Sequence, residues 1–230
     1  MAAPDDPGRF ILDNTRLLPV PLVPEIRLHV ADEAVPIWQK TEEELGEIGL
    51  PPPFWAFAWA GGQALARYLL DNRDLVAGKR VIDFASGSGL VAIAVCLAGA
   101  KTVLATEIDP FCRAAIGLNA QANDVAIAIE MQDITGQPAR DADLIVAGDV
   151  FYEKDTAERV TDWFARQAEA GVPVLVGDPG RSYLPKTRLT HLREYNVPVT
   201  RELEDADIKA TSVWRFVAPH AKQEASGNTE

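Results

Sequence analysis

The chain has 230 residues, of which 47% are hydrophobic and 24% charged, and its formal net charge is -12. This length suits one domain with a large core, and the composition is ordinary for a soluble globular protein. The acidic balance argues against a protein that neutralises nucleic-acid phosphates, and no apolar run reaches the length of a membrane span. We therefore predict one soluble domain without nucleic-acid or membrane partners.

The cysteines, histidines and first residues indicate neither a metal site nor a targeting segment. Cys96 and Cys112 fall in predicted helices, and the three histidines are scattered, so the four closely spaced ligands of a zinc site are missing. The first eight residues contain aspartates and prolines, unlike the basic and apolar pattern of a signal peptide. The expected location is the cytoplasm.

Residues 1–53 are predicted to form an N-terminal extension that packs on the core. Residues 1–8 read as a mobile tail, and residues 9–32 mix β-branched residues with prolines, which favours extended segments that cap a sheet edge. The best strand in this region is 25–30. Helical spacing of apolar residues predicts a helix over 35–45, before a run of three prolines.

An aromatic segment follows, with the sequence Phe54-Trp-Ala-Phe-Ala-Trp-Ala-Gly-Gly62, and it leads into a predicted helix over 63–72. Its aromatic side chains could form a platform for a ligand, or a staple that holds the N-terminal extension to the core. The sequence leaves both interpretations open.

The stretch Val81-Ile-Asp-Phe-Ala-Ser-Gly-Ser-Gly-Leu90 reads as a strand, a tight loop of small residues and the start of a helix. Small residues let a ligand lie against the backbone, and the first N–H groups of a helix are unpaired. The loop is therefore a candidate nucleotide site. Its glycine spacing, Gly87-x-Gly89-x-x-Ala92, also fits a dinucleotide, so an NAD-dependent oxidoreductase stays open at this point.

From residue 79 onward, strands and helices alternate, which predicts a mostly parallel sheet with helices on both faces. The predicted strands are 79–84, 101–107, 127–132, 143–149 and 172–177, and the predicted helices are 88–98, 110–122 and 156–169. A short helix is then expected over 184–195. Two final strands at 197–203 and 212–217 leave no room for a helix between them, so they should pair antiparallel. Residues 220–230 read as a flexible tail.

Four carboxylates fall at the carboxyl ends of predicted strands, where open α/β sheets bind ligands. Asp83 ends the first core strand. Glu107 ends the second, eighteen positions after Gly89, where it can accept both hydroxyl protons of a ribose. Asp133 could accept from an exocyclic amine such as that of adenine, or cap a turn. Asp149 closes an apolar strand, where an unpartnered carboxylate is costly to bury, so a site role is favoured.

These features resemble the seven-strand, S-adenosylmethionine-dependent methyltransferases over about residues 54–217. Asp149-Val-Phe-Tyr152 is similar to the signature after strand four in the methyltransferase family 16 group, which methylates lysines of non-histone proteins. The segments 19–29, 53–62 and 177–185 are similar to the branch that modifies the β-subunit of electron transfer flavoprotein. One departure is Ala85, which stands where the superfamily usually has its first glycine.

The resemblance implies a Rossmann-like α/β domain over residues 54–219, a cofactor that is S-adenosylmethionine, and protein-lysine N-methylation as the activity. The residues implied to hold the cofactor are Trp59, Asp83, Ala85, Gly87, Gly89, Glu107 and Asp133. Glu107 would bind the ribose, and Asp133 would lie near the adenine. Asp149 and Tyr152 would face the target amine as the catalytic pair. Phe151 and Tyr183 would add an aromatic wall for the substrate.

The resemblance also implies a protein substrate, with the β-subunit of electron transfer flavoprotein preferred. Alternatives within methyl transfer are another protein, such as a ribosomal protein, or a small amine similar to nicotinamide. An oxidoreductase would use the glycine loop and Glu107, but it leaves Asp83, Asp133 and the Asp149–Tyr152 pair unexplained. A relative that binds without catalysis is a further alternative, which the intact acidic residues disfavour.

Overall fold

The computed structural model describes residues 6–31, 53–139, 141–199 and 207–217. The helices are α1 (Pro7–Asn14), α2 (Ala60–Asp71), α3 (Leu90–Leu97), α4 (Pro110–Ala122) and α5 (Lys154–Glu169). The strands are β1 (Arg16–Val20), β2 (Val23–Val30), β3 (Arg80–Phe84), β4 (Thr102–Glu107), β5 (Ala128–Met131), β6 (Leu144–Gly148), β7 (Val174–Asp178), β8 (Leu189–Pro198) and β9 (Ile208–Phe216). The predicted helix over 35–45 lies outside the described residues. Within the described ranges, no helix is both long and apolar enough to cross a membrane.

A seven-stranded sheet in the order β5-β4-β3-β6-β7-β9-β8 forms the centre of the molecule. The first five strands in this order are parallel, and β9 runs antiparallel between β7 and β8. The prediction of a mostly parallel sheet with an antiparallel C-terminal pair is therefore confirmed. The strand order reverses between β3 and β6, which creates a switch point where such sheets bind ligands.

The C-terminal part of the sheet differs from the prediction of a helix over 184–195, which is wrong. A 3₁₀ turn at Lys186–Arg188 is followed directly by β8, which begins eight residues before the predicted strand 197–203. The pairing of β8 with β9 is irregular between His191 and Arg193. This bulge breaks the two-residue alternation of apolar side chains, so leucines three positions apart imitate helical spacing.

The N-terminal extension begins with a helix where the sequence predicted a tail. Asp6 caps α1 by accepting a hydrogen bond from the backbone N–H of Arg9 at 3.0 Å, and Pro7 occupies the first turn. Both residue types favour a helix start at these positions. The helix packs on α4, where the Phe10 ring meets the edge of the Phe111 ring at 5.6 Å.

Strands β1 and β2 form a separate two-stranded sheet that lies over the helices, so the prediction that this segment caps a sheet edge is wrong. Two asparagines of α4 hold β2 through its backbone. Asn119 accepts from the N–H of His29 at 2.7 Å, and Asn123 accepts from the N–H of Arg27 at 2.9 Å. The hairpin satisfies its backbone groups against side chains of the domain instead of against an edge strand.

Helix α2 approaches the sheet with its backbone, at the switch point. A Cβ atom on Gly61 would overlap the carbonyl oxygen of Gly177 and the carboxylate of Asp149, and one on Gly148 would come within 2.9 Å of the backbone of Gly62. The glycines are therefore required by this close approach. They let the first turn of α2 lie directly on the ends of β6 and β7.

Gly61→Ala should lower the free energy of unfolding by at least about 2 kcal/mol, because the added methyl group overpacks a contact between backbone atoms. Gly117→Ala, on α4, is the matched control, since a Cβ there meets nothing within 4 Å. The control should stabilise the helix by up to about 1 kcal/mol. Urea denaturation followed by circular dichroism measures both, and equal stability of the Gly61→Ala protein and the wild type would contradict the packing.

Candidate active site

A cavity of about 430 Å³ lies at the carboxyl edge of the parallel strands, around the switch point. Its walls come from the aromatic segment, the loop after β3, the end of β4, the loop after β5, the end of β6 and the loop after β7. Eight of the predicted site residues line it: Trp59, Asp83, Ala85, Gly87, Glu107, Asp133, Asp149 and Tyr152. The fold thus brings together residues that are far apart in sequence.

Asp83 uses its carboxylate to shape the loop after β3. The side chain is 1% exposed, and its Oδ2 accepts from Ser86 Oγ at 2.5 Å and from the N–H of Ala92 at 2.9 Å. Desolvation by burial raises the pKa of Asp83 to about 7. The carboxylate therefore joins the loop to the first turn of α3.

Three residues of this loop have left-handed backbone conformations, and they include the one departure from the usual pattern. Ala85, Gly87 and Gly89 have φ angles of 51°, 57° and 84°. Such a conformation costs an L-residue roughly 1–2 kcal/mol, which explains why a glycine is usual at position 85. Gly87 leaves open the space that a Cβ would fill, whereas Gly89 packs against Ile116 behind the loop and does not line the cavity.

Glu107 connects β4 to the glycine loop across the cavity. Its Oε1 accepts from the N–H of Gly87 at 2.7 Å, and its Oε2 accepts from the N–H of Ile108 at 3.0 Å. Desolvation raises the pKa of Glu107, while these two hydrogen bonds oppose that shift. The carboxylate therefore joins the end of β4 to the loop after β3.

Asp133 lines the cavity on the β5 side, and it caps a turn, which was one of its two sequence interpretations. Its Oδ1 accepts from the N–H and the hydroxyl of Thr135, at 2.9 and 2.7 Å. Its Oδ2 pairs with Arg159 at 3.1 Å. The Thr135 hydrogen bonds, with help from Arg159, lower the pKa of Asp133.

Asp149 lies at the centre of the switch point in a left-handed conformation, with φ of 55° and 8% exposure. Its Oδ2 accepts from the N–H groups of Gly61 and Gly62 at 2.5 and 3.2 Å. Its Oδ1 accepts from Nε and Nη2 of Arg181 at 3.1 and 2.8 Å. The buried carboxylate of Asp149 is therefore stabilised by the N-terminus of α2 and by the guanidinium of Arg181.

Arg181 is a site residue that the sequence analysis missed. It follows Gly180, whose φ is 91°, in the loop after β7, and its guanidinium lies 5.7 Å from the centroid of the Trp59 ring. The side chain of Asp178 fixes the loop by accepting from the N–H groups of Gly180 and Arg181 at 2.6 and 2.7 Å. The signal was the segment Asp178-Pro-Gly-Arg181, a turn sequence directly after a strand.

Asp178 is a second buried carboxylate beside Asp149. It is 1% exposed, and its Oδ2 has no hydrogen-bond partner among the described residues. Desolvation raises the pKa of Asp178 to about 6, and the charge of Asp149 acts in the same direction. Its protonation therefore changes around pH 6, a pH at which most aspartates are already ionised.

The aromatic segment divides between the two roles that the sequence left open. Trp55 is buried and stacks on Phe111 with centroids 6.0 Å apart, so it acts as a staple for the extension. Phe54 instead contacts Tyr152 at 5.1 Å and Trp59 at 6.2 Å, and all three line the cavity. Tyr152 is 49% exposed at the edge of this wall, and desolvation raises its pKa.

The predicted aromatic wall does not include Phe151 or Tyr183. Phe151 is fully buried and packs edge-on against Phe164 at 6.3 Å, whereas the adjacent Tyr152 lines the cavity. Tyr183 is 44% exposed, outside the described lining of the cavity, and its backbone N–H donates to the carbonyl of Phe151 at 3.3 Å.

Both cysteines are free thiols. Cys112 lines the cavity, and burial raises the pKa of its thiol. Among the described residues, no group of three His, Cys, Asp or Glu side chains is arranged to hold a metal ion.

The family model that matches this chain and the similar proteins all carry the name of a methyltransferase. Residues 63–150 match the family model for ribosomal protein L11 methyltransferase. The chain is 38% identical over 216 residues to the electron transfer flavoprotein beta subunit lysine methyltransferase of Xenopus laevis. This alignment covers 91% of this chain and 87% of that protein. The Homo sapiens protein of the same name is 35% identical over 214 residues, covering 90% and 80%. The ribosomal protein L11 methyltransferase of Actinobacillus succinogenes is 47% identical, but over only 36% of this chain and 29% of that protein.

Solved structures share the fold at low sequence identity. Magnesium protoporphyrin IX methyltransferase from Synechocystis, solved with bound SAM, superposes with a TM-score of 0.53 at 11% identity, covering 79% of this chain and 95% of that one. A Thermoplasma acidophilum protein superposes with a TM-score of 0.53 at 19% identity, covering 69% and 90%.

Asp178→Asn should change how stability depends on pH. Because the pKa of Asp178 in the folded protein lies above its unfolded value, its contribution to stability is fully present below about pH 4 and is lost as pH rises through about 6. Asn cannot titrate, so the variant should gain on the order of 2 kcal/mol relative to wild type between pH 4.5 and 7.

Urea denaturation across this pH range measures the difference. Asp143→Asn is the control: its hydrogen bonds with Arg80 lower the pKa of Asp143 to about 2, so it should show little change over the same range. A constant difference between the Asp178→Asn protein and wild type at every pH would show that Asp178 is not held in its neutral form by burial.

Proposed function

The chain belongs to the family of electron transfer flavoprotein β-subunit lysine methyltransferases, and we propose on this basis that it methylates a lysine of the electron transfer flavoprotein β-subunit. The observation that carries the proposal is that six relatives with this name are 32–38% identical over 84–92% of the chain. The ribosomal-protein methyltransferases match a much shorter part. Protein-lysine methylation replaces the oxidoreductase alternative, and the β-subunit is preferred over a ribosomal protein or a small amine.

The cofactor is S-adenosylmethionine, and the cavity fits it. The open space at Gly87 allows a ligand to lie on the backbone of the loop, and Glu107 faces that space from β4. When bound, the cofactor supplies an activated methyl group: the amine lone pair forms the nitrogen–carbon bond while the carbon–sulfur bond breaks and its electron pair stays on sulfur. In our proposal Glu107 binds the ribose hydroxyls and Asp133 lies near the adenine.

The other cofactor residues act differently in this proposal. Trp59 and Ala85 contribute cavity wall, as does Gly87 through its exposed backbone. Asp83 and Gly89 act indirectly, since Asp83 is turned back onto the loop and Gly89 packs behind it. Their substitution should change the shape of the loop more than remove a contact.

We assign the target amine to the Asp149–Tyr152 end of the cavity. Both residues line it, and Tyr152 is half-exposed at its edge, where a protein side chain can enter. With an unperturbed pKa of about 10.4, only about one lysine in a thousand is neutral at pH 7.4. The site must therefore orient the nitrogen and favour loss of its proton. Asp149 fixes the surrounding groups, and Tyr152 shapes the entrance.

We further propose that the protein acts in the cytoplasm and that residues 1–53 are an extension of the domain at 54–219. The free thiols of Cys96 and Cys112 support a reducing compartment. Contacts of Asn119 and Asn123 with the β1–β2 hairpin support the extension. The net charge of -12 supports a protein partner over a nucleic acid.

The substrate is tested by incubating the purified protein with labelled S-adenosylmethionine and an equimolar mixture of recombinant β-subunit, ribosomal proteins and nicotinamide. The label should appear on a lysine of the β-subunit. A β-subunit whose lysines have been acetylated is the control and should stay unlabelled. Label confined to the ribosomal proteins or to nicotinamide would replace the proposed substrate.

Asp149→Asn separates the amine end of the cavity from cofactor binding. Asn keeps an oxygen for the N–H groups of Gly61 and Gly62 but directs an amide NH₂ group at Arg181, so the amine end should be misaligned. Turnover on the protein substrate should fall on the order of 10²-fold. Calorimetric affinity for S-adenosylmethionine should change much less. A parallel collapse of both quantities would move Asp149 to the cofactor site, and near-normal turnover would remove it from the amine end.

A further inference from the structure

The hydrogen-bonding capacity of the Asp149 carboxylate is already used within the protein. An ionised carboxylate has about four lone-pair positions. The N–H groups of Gly61 and Gly62 occupy two on Oδ2, and Nε and Nη2 of Arg181 occupy two on Oδ1. Asp149 is therefore a poor acceptor for a proton from the substrate, even though it lines the cavity.

Arg181 is held firmly in the position that neutralises Asp149. Its side chain is 21% exposed and that of Asp149 is 9% exposed, so the ion pair is largely shielded from water. The loop carrying Arg181 is fixed by Asp178, and its guanidinium lies beside the Trp59 ring. An arginine stays charged at all accessible pH values, so this positive charge is permanent.

A buried carboxylate beside a lysine normally stabilises the ammonium form, because opposite charges favour each other in a poorly solvated site. Methyl transfer requires the opposite, a nitrogen with a free lone pair. An Asp149 without Arg181 would therefore attract the substrate but hold it in its unreactive form. A cationic neighbour has the reverse effect, since it disfavours a second positive charge and activates an amine.

We propose that Arg181 is a positioning residue for the reaction: by pairing with Asp149 it favours the neutral, nucleophilic form of the target lysine over the ammonium form. The proposal rests on the proposed function, because it takes the Asp149–Tyr152 end of the cavity as the amine end. The ammonium releases its proton to solvent at the half-exposed edge near Tyr152. The nitrogen lone pair then bonds to the methyl carbon, and the carbon–sulfur bond breaks with its electron pair on sulfur.

Other titratable groups face the cavity from every surrounding element, and they set the pH range of the test. Those with carboxyl, thiol, phenol or guanidinium groups are Asp83, Glu107, Asp109, Cys112, Asp133, Tyr152 and Arg159, with Asp178 beside Arg181. Asp178 and Asp83, with pKa values of about 6 and 7, are mostly ionised by pH 8. Burial raises the pKa values of Tyr152 and Cys112. The charge of Arg181 also lowers the pKa of Asp178. A comparison of variants between pH 8 and 9.5, where these carboxylates are mostly ionised, therefore reports on the substrate amine.

The test is the single-turnover methylation rate of recombinant β-subunit as a function of pH, for wild type, Arg181→Gln and Arg181→Lys. Gln keeps N–H donors for Asp149 without the charge, and Lys keeps the charge. In Arg181→Gln the apparent pKa of the rate profile should rise by roughly one unit or more. Because Arg181 holds the apparent pKa of the wild-type profile well below the value of about 10.4 for a free lysine, the rate of Arg181→Gln should be about tenfold low near pH 8, and this deficit should shrink toward pH 9.5. Arg181→Lys should keep a profile close to that of wild type.

Arg80→Gln is the matched control, since Arg80 pairs with Asp143 at the start of β3, away from the cavity, and the pH profile should not move. Calorimetric affinity for S-adenosylmethionine checks that each variant is folded. If Arg181→Gln does not fold, Arg181→Met, which keeps the apolar part of the side chain, supplies the same comparison.

A rate deficit that is the same at every pH, or an unchanged profile in the charge-free variant, would overturn the role of Arg181. Wild type without activity on the β-subunit would instead overturn the proposed substrate. The profile is then measured on the protein that the labelling mixture identifies, so the two proposals fail separately.

Discussion

The carboxylate of Asp149 connects the first turn of α2 to the loop after β7, and the rest of the site depends on this bridge. The bridge requires the helix to approach the sheet with its backbone. Glycines at 61, 148 and 177 remove the side chains that would prevent this approach. Their sequence positions are far apart, yet they serve one contact. The strand order reverses at the same place, so the contact also forms the wall of the cavity.

The cavity is rich in carboxylates, and each is satisfied by a different group. Asp83 is held by the loop after β3, Glu107 by backbone N–H groups, and Asp149 by α2 and Arg181. Desolvation raises the pKa values of Asp83 and Glu107, and hydrogen bonds to their charged forms oppose it. Such a surface suits a cofactor that carries a positive sulfonium, while Arg181 limits the negative charge at the end proposed for the amine.

The order of strands and helices from residue 79 could be predicted, because hydrophobic periodicity and small-residue loops act locally. The same reasoning placed Asp83, Glu107, Asp133 and Asp149 at strand ends, where the structure has them around one cavity.

The prediction failed where contacts between distant residues, or irregular backbone, determine the secondary structure or the position of a side chain. A bulge in β8 disguised a strand as a helix, and α2 starts at Ala60 because Asp149, from another strand, satisfies its first N–H groups. Arg181 was missed because its turn segment after β7 does not show which buried carboxylate the guanidinium reaches. Phe151 was misplaced because it enters the core while the adjacent Tyr152 lines the cavity.

The most direct test of this account is a crystal structure of the protein with S-adenosylhomocysteine and the β-subunit of electron transfer flavoprotein. The account predicts that Asp149 keeps its hydrogen bonds to Gly61, Gly62 and Arg181, with the target lysine nitrogen entering beside Tyr152. A structure in which the lysine displaces Arg181 and pairs directly with Asp149 would contradict it, because the carboxylate would then be the acceptor of the substrate and not the support of the site.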